Sequence, residues 1–225
     1  MHIDSFQLTP VRVTTDGAVL DADLGLPESP RGIVVFAHGS GSSRYSPRNQ
    51  FVAGQLRARG FGTLLADLLT GPEEAVDRRT ARLRFDIGLL GHRVVALVDW
   101  LRRRTGVSTL PIGLFGASTG AAAALVAAAE RPEDVGAVVS RGGRPDLADE
   151  ALPRVVAPTL LLVGGLDTTV IDMNRDAQRQ MRHLVDLEII PDASHLFEEP
   201  GTLERVAQRA GEWFEQHLRQ PTERK

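Results

Sequence analysis

Cysteine is absent from all 225 residues. That excludes disulfides, zinc–thiolate centres and a thiol nucleophile together. Metal ligands of other kinds are also lacking. No His, Asp and Glu residues cluster at ligand spacing, so neither a metal nor any other cofactor is expected. Excess charge of one sign is missing too, with 26 basic and 29 acidic residues and a formal net charge of −3. Nucleic acid and an anionic membrane surface are therefore not expected partners. No apolar run approaches the roughly 20 residues of a membrane span. The opening Met1–Pro10 has neither a basic n-region nor an apolar h-region. No signal peptide is expected there, and a cytoplasmic location is. The loop His38–Arg44 lacks a G-K-[ST] ending, and no G-x-G-x-x-G occurs, so nucleotide binding is not expected. Repeats, low-complexity tracts and a convincing linker are likewise missing. The expectation is one domain over residues 1–225, whose 42% hydrophobic and 24% charged residues suit an ordinary globular core.

What is present centres on Leu110–Glu130, L-P-I-G-L-F-G-A-S-T-G-A-A-A-A-L-V-A-A-A-E. The run Ile112–Phe115 predicts a buried strand, and Ala121–Ala129 predicts a helix. Between them, Gly116-Ala117-Ser118-Thr119-Gly120 matches G-x-S-x-G in a strand–turn–helix setting. Small residues on either side of Ser118 allow a sharp turn, and the helix N-terminus then faces whatever Ser118 attacks.

Around this stretch the chain alternates. A hairpin is expected from Phe6–Val13 and Val19–Leu26 across Thr14–Gly17, where an Asp-Gly pair supplies the turn. Gly32–Ala37, Thr63–Leu69, Val135–Val139, Thr159–Val163 and Val185–Ile190 read as strands. Helices are expected over Pro47–Arg59, about Arg82–Arg104, about Asp172–His183 and about Thr202–His217. Gly71–Thr80 is expected to be a polar loop, and the tail to Lys225 a frayed end. This pattern predicts an α/β fold with a mostly parallel, twisted sheet of about eight strands, helices on both faces and no lid domain.

Serine needs a base, and the base needs an orienting acid. In open parallel sheets functional groups gather at the carboxyl ends of strands. Of the six histidines, only His38 and His195 follow strands. Asp67, Asp167 and Asp192 are the acids near such ends. The order Ser118, Asp167, His195 is the one a nucleophile elbow of this kind requires. His38 is then expected to brace its loop, and Asp67 and Asp192 to be structural.

The segments G-A-S-T-G, G-G-L-D-T-T-V and A-S-H-L-F, in that order, resemble the α/β-hydrolase superfamily. The lidless size is similar to dienelactone-hydrolase-like enzymes. H-G-S-G-S-S-R, S-P-R-N and R-F-D-I resemble the hydrolase family sometimes fused to a phosphoribosyltransferase-like domain. The resemblance implies an α/β-hydrolase fold and a serine hydrolase for a small-molecule ester or lactone. Its nucleophile would be Ser118, its base His195 and its orienting acid Asp167. It also implies an oxyanion hole made by the backbone N–H groups of Thr119 and Ser40. Serine stands where dienelactone hydrolases proper carry cysteine, so the substrate need not be a dienelactone. Thioesterase or acyltransferase chemistry would use the same groups, and a non-catalytic binding protein could share the fold. Arg44, Arg141 and Arg144 lie on loops at the same sheet edge and are candidates for holding a substrate carboxylate. The sequence does not specify an oligomeric state.

Overall fold

A computed structural model describes residues 8–15 and 17–218. The start of the expected first strand (Phe6 and Gln7), Asp16 of its turn and the tail after residue 218 lie outside the described residues. The opening strands β1 (Leu8–Thr15) and β2 (Ala18–Gly25) form an antiparallel hairpin. The remaining strands are β3 (Ile33–Ala37), β4 (Gly62–Ala66), β5 (Ile112–Ala117), β6 (Val135–Arg141), β7 (Thr159–Gly164) and β8 (Val185–Ile190). They build one sheet in the order β1-β2-β4-β3-β5-β6-β7-β8. β2 runs antiparallel to β4, and every pair from β4 to β8 is parallel. This is the expected α/β-hydrolase arrangement. β3, β4, β5 and β7 are buried along their whole length. Continuous apolar runs have that fate when helices cover both faces of a sheet.

The described residues hold six α-helices: α1 (Pro47–Ala58), α2 (Gly71–Thr80), α3 (Ile87–Arg103), α4 (Thr119–Glu130), α5 (Thr168–Gln180) and α6 (Thr202–His217). One core cluster lies on the α3–α4 side, with Val94, Leu97, Leu114 and Leu125 fully buried. The other lies on the α1–α6 side, around Phe36, Phe115, Phe214 and Leu56. The chain reverses its direction of travel across the sheet at β3 and β5, which are neighbours. The loops leaving their carboxyl ends diverge there and open a crevice.

Five local expectations are corrected. Gly71–Thr80 is a helix rather than a polar loop. It has no apolar stripe, and its ends stabilise it instead. Thr70 and Glu73 form a reciprocal capping box, and Glu73 also accepts a 2.7 Å bond from Arg93 of α3. The long helix expected over Arg82–Arg104 is broken. A 3-10 turn spans Leu83–Phe85, and Asp86 then caps α3 by accepting from the Leu89 N–H. The strand expected to reach Leu69 ends at Ala66, and the helix expected from Asp172 starts at Thr168. The polar stretch after Val139 begins as strand, since β6 carries Ser140 and Arg141. A further 3-10 segment, Pro145–Arg154, follows it.

Candidate active site

Ser118 sits between β5 and α4 with φ 50° and ψ −122°. A non-glycine residue held at positive φ costs on the order of 1–3 kcal/mol, so the surroundings must impose it. The Ser118 N–H donates to the Arg141 carbonyl at 3.3 Å, and the Ser118 carbonyl accepts from Arg144 and Ala121 N–H groups, both at 3.1 Å. Gly120 lies so close to β3 that a Cβ there would stand 2.2 Å from the Ala37 carbonyl oxygen. That contact explains the second glycine of the motif. Ser118 Oγ makes no hydrogen bond among the described residues and is partly open to solvent.

Asp167 follows β7 and His195 follows β8, so both loops leave the same edge as Ser118. Asp167 Oδ2 and His195 Nδ1 are 2.6 Å apart. A carboxylate only accepts, so Nδ1 carries the proton, and in the neutral ring Nε2 keeps its lone pair. Gly142 links the two halves of the site. It follows Arg141, which holds the Ser118 N–H, and a Cβ on Gly142 would be 3.6 Å from the His195 ring. Glu199 steadies the histidine loop by accepting the Ser194 N–H at 3.0 Å, and that bond lowers the Glu199 pKa.

On the other side of Ser118 lies the loop from β3. A Cβ on Gly39 would be 2.9 Å from Ser118 Cβ, so only glycine allows this approach. Ser40 and Thr119 meet through their hydroxyls at 3.1 Å. The two residues expected to supply oxyanion donors are therefore neighbours, and the first N–H groups of α4 have no intrahelical acceptor. His38 is buried beneath them. Its Nε2 accepts the Leu68 N–H at 3.0 Å, so Nδ1 carries the proton and donates to the Gly39 carbonyl at 3.0 Å. Burial lowers the His38 pKa, which keeps it neutral as a brace.

A cleft with a cavity volume of about 130 Å³ opens beside this loop, bounded by Ser40, Gly41, Leu69, Leu90, Arg84 and Thr119. Arg84 is held by Asp77, which accepts from its Nε at 2.6 Å and from the Leu83 N–H at 2.8 Å. Arg84 and Asp77 were not apparent from the sequence, beyond the presence of Arg84 in R-F-D-I.

The three candidate arginines have different situations. Arg44 pairs with Asp67 and with Asp23, the latter at 3.3 Å. Arg144 forks onto Asp146 with bonds of 2.9 and 2.8 Å. Arg141 is 8% exposed and has no ion pair or side-chain hydrogen bond among the described residues. Burial pushes its pKa down to about 10, with repulsion from Arg48 adding to the effect.

The model of the dienelactone hydrolase family matches residues 20–219. The chain belongs to the dienelactone hydrolase family. A solved dienelactone hydrolase from Anabaena variabilis ATCC 29413 is 59% identical, with a TM-score of 0.93 over 95% of this chain and 99% of that one. A curated Mycobacterium tuberculosis (strain ATCC 25618 / H37Rv) protein named "Putative phosphoribosyl transferase Rv0571c" is 54% identical over 208 residues, 92% of this chain. The chain spans about half the length of the curated relatives it matches, 46% in this case. The Pyrococcus furiosus esterase Pf2001 shares the fold at a TM-score of 0.79 and 20% identity, over 95% of this chain and 94% of that one.

Proposed function

We propose that this member of the dienelactone hydrolase family is a serine hydrolase of carboxylic esters or lactones. The observation that carries the reading is the 2.6 Å Asp167–His195 contact beside a strained, unbonded Ser118. Ser118 Oγ attacks the substrate carbonyl carbon while His195 Nε2 takes its proton. The carbonyl oxygen becomes an oxyanion facing the N–H groups of Thr119 and Ser40. Losing one such donor typically costs about 3–4 kcal/mol of transition-state stabilisation. The intermediate collapses to an acyl-enzyme, and His195 returns the proton to the departing alkoxide oxygen. Water then attacks the acyl carbon as His195 accepts its proton, and His195 passes that proton to Ser118 Oγ as the Oγ–acyl bond breaks and the acid is released. Asp167 holds the imidazole tautomer throughout and stabilises its charged form. The strain at Ser118 argues against a pure binding protein, because binding alone gives no reason to hold a serine at positive φ.

The test is covalent labelling of the folded full chain with a fluorophosphonate, followed by mapping of the modified residue. Label at Ser118, together with loss of activated-ester hydrolysis in a folded Ser118→Ala protein, is the expected result. Absence of label on folded protein would favour a binding role, and label elsewhere would overturn the assignment of the nucleophile.

A further inference from the structure

The brace around Ser118 depends on a side chain from a distant helix. Four consecutive residues at the end of β6 are each pinned through the backbone. The Arg141 carbonyl accepts the Ser118 N–H at 3.3 Å, and the Gly142 N–H donates to the Leu162 carbonyl of β7 at 2.7 Å. The Gly143 carbonyl accepts from Asn174 Nδ2 at 3.0 Å, and the Arg144 N–H donates to the Ser118 carbonyl at 3.1 Å. Those last two groups belong to one peptide unit. A trans peptide is planar, and its C=O and N–H point in opposite directions. Asn174 and Ser118 therefore hold the two ends of a single rigid plate. Gly143 has no side chain with which to fix the plate itself. A Cβ there would stand 2.6 Å from Ala121 Cβ, so the plate lies directly on the first turn of α4.

Asn174 is an expensive residue to keep in this place. It is fully buried in α5. Its Nδ2 also donates to the Val170 carbonyl, one turn back, at 2.8 Å. Both partners are carbonyls, so the nitrogen of the amide must face them. Its Oδ1 is shielded from water with no donor among the described residues. Burying an unsatisfied polar atom is unfavourable, and leucine would fill a similar volume without that cost. Packing alone gives no reason for an amide here, whereas the bond to Gly143 does. The helix adds a second link. Asp167 caps the start of α5, and Asn174 follows it by two helical turns. One helix thus carries both the acid that orients His195 and the amide that steadies the Ser118 turn.

We infer that Asn174 is a positioning residue for the nucleophile. By fixing the Gly143–Arg144 peptide it holds Ser118 in its positive-φ conformation and ties that conformation to the helix behind Asp167. The inference rests on the serine-hydrolase reading for its effect on rate, although its effect on the peptide can be measured without it. A donor on the carbonyl end of a peptide polarises the unit and strengthens the N–H at the other end. Without the Asn174 amide the plate turns about Gly143, and the Arg144 N–H leaves the Ser118 carbonyl. Ser118 then relaxes from its strained angles, and Oγ moves relative to His195 and the Thr119 N–H. Asn174 acts only through this peptide, which stands between it and Ser118.

The experiment follows inactivation of the full chain by a fluorophosphonate over a range of concentrations, which separates the maximal rate from the half-saturating concentration. Asn174→Leu keeps the volume and removes the donor. Asn174→Ser keeps a hydroxyl within reach of the Val170 carbonyl but is too short for Gly143. Both are expected to lower the maximal rate roughly 10- to 100-fold and to leave the half-saturating concentration within about twofold, measured well below each variant's Tm. A lowered Tm with an unchanged rate in folded protein would make Asn174 a stability residue only and overturns the inference. If neither variant folds, hydrogen exchange in the parent decides. The Arg144 amide should be protected as well as the sheet-bonded Gly142 amide, and exchange at the rate of an open loop overturns the inference. Labelling of Ser118 in the parent at a rate equal to both variants removes the positioning role and leaves the hydrolase reading standing. No label in the parent, with Arg144 protection lost in folded Asn174→Leu, does the reverse.

Discussion

Replacing Arg141 by methionine should make the protein more stable, although it removes a residue at the heart of the candidate site. The lowering of the Arg141 pKa from its ordinary value to about 10 corresponds to a cost of about 3 kcal/mol for holding the charge at neutral pH. The group is almost fully buried, so solvent screening reduces that figure little. Methionine keeps an unbranched, adaptable stem against the α1–α6 core and carries no charge. It also removes the repulsion from Arg48. Loss of part of the arginine stem packing offsets some of the gain, leaving about 1–3 kcal/mol. For a chain of this length each kcal/mol moves Tm by about 2–4 °C, so a rise of roughly 2–12 °C is expected. Differential scanning calorimetry at pH 7 in a buffer free of phosphate and sulfate measures it. A lower Tm in Arg141→Met without anions would refute the reasoning. It would mean that the guanidinium has a stabilising partner in the folded protein.

Two further outcomes follow from the same physics. Ser118→Gly should relieve about 1–3 kcal/mol of backbone strain against about 0.5–1 kcal/mol of added chain entropy. A modest rise in Tm with loss of ester hydrolysis is expected, and a fall in Tm would contradict the strain argument. His38 has a lowered folded pKa, so below about pH 6.5 the unfolded chain binds a proton that the native chain resists. The sign is therefore stability that is present above about pH 6.5 and lost as pH falls toward the folded pKa. Urea unfolding at pH 5, 6, 7 and 8 should show that dependence in the parent and a shallower one, by up to about 1.4 kcal/mol per pH unit, in His38→Asn. Equal slopes would show that His38 does not carry it.

Much of the architecture was already written in the local chemistry of the chain. Strands covered on both faces must be apolar throughout, so β3, β5 and β7 stand out as continuous runs. The elbow was legible because the Gly116–Gly120 stretch answers a steric demand that few residues satisfy, visible in the 2.2 Å that would separate a Gly120 Cβ from Ala37. The order of Ser118, Asp167 and His195 could be read because each follows its own strand. Helix α2 could not be, since capping groups and the Arg93 contact from another helix stabilise it rather than an apolar stripe. The break at Asp86 was hidden for a related reason: the spacing of apolar residues runs through it, and one side-chain cap decides it. The arginines show the limit most clearly. Arg44, Arg141 and Arg144 are the same chemical group on neighbouring loops. Only the local Arg144–Asp146 pairing lies close enough in the chain to suspect. Arg44 is neutralised from β2 and from the loop after β4, and Arg141 is left facing Arg48 of α1. Charge at a site depends on distances between segments far apart in the chain, and packing of those segments determines which cation is left unpaired.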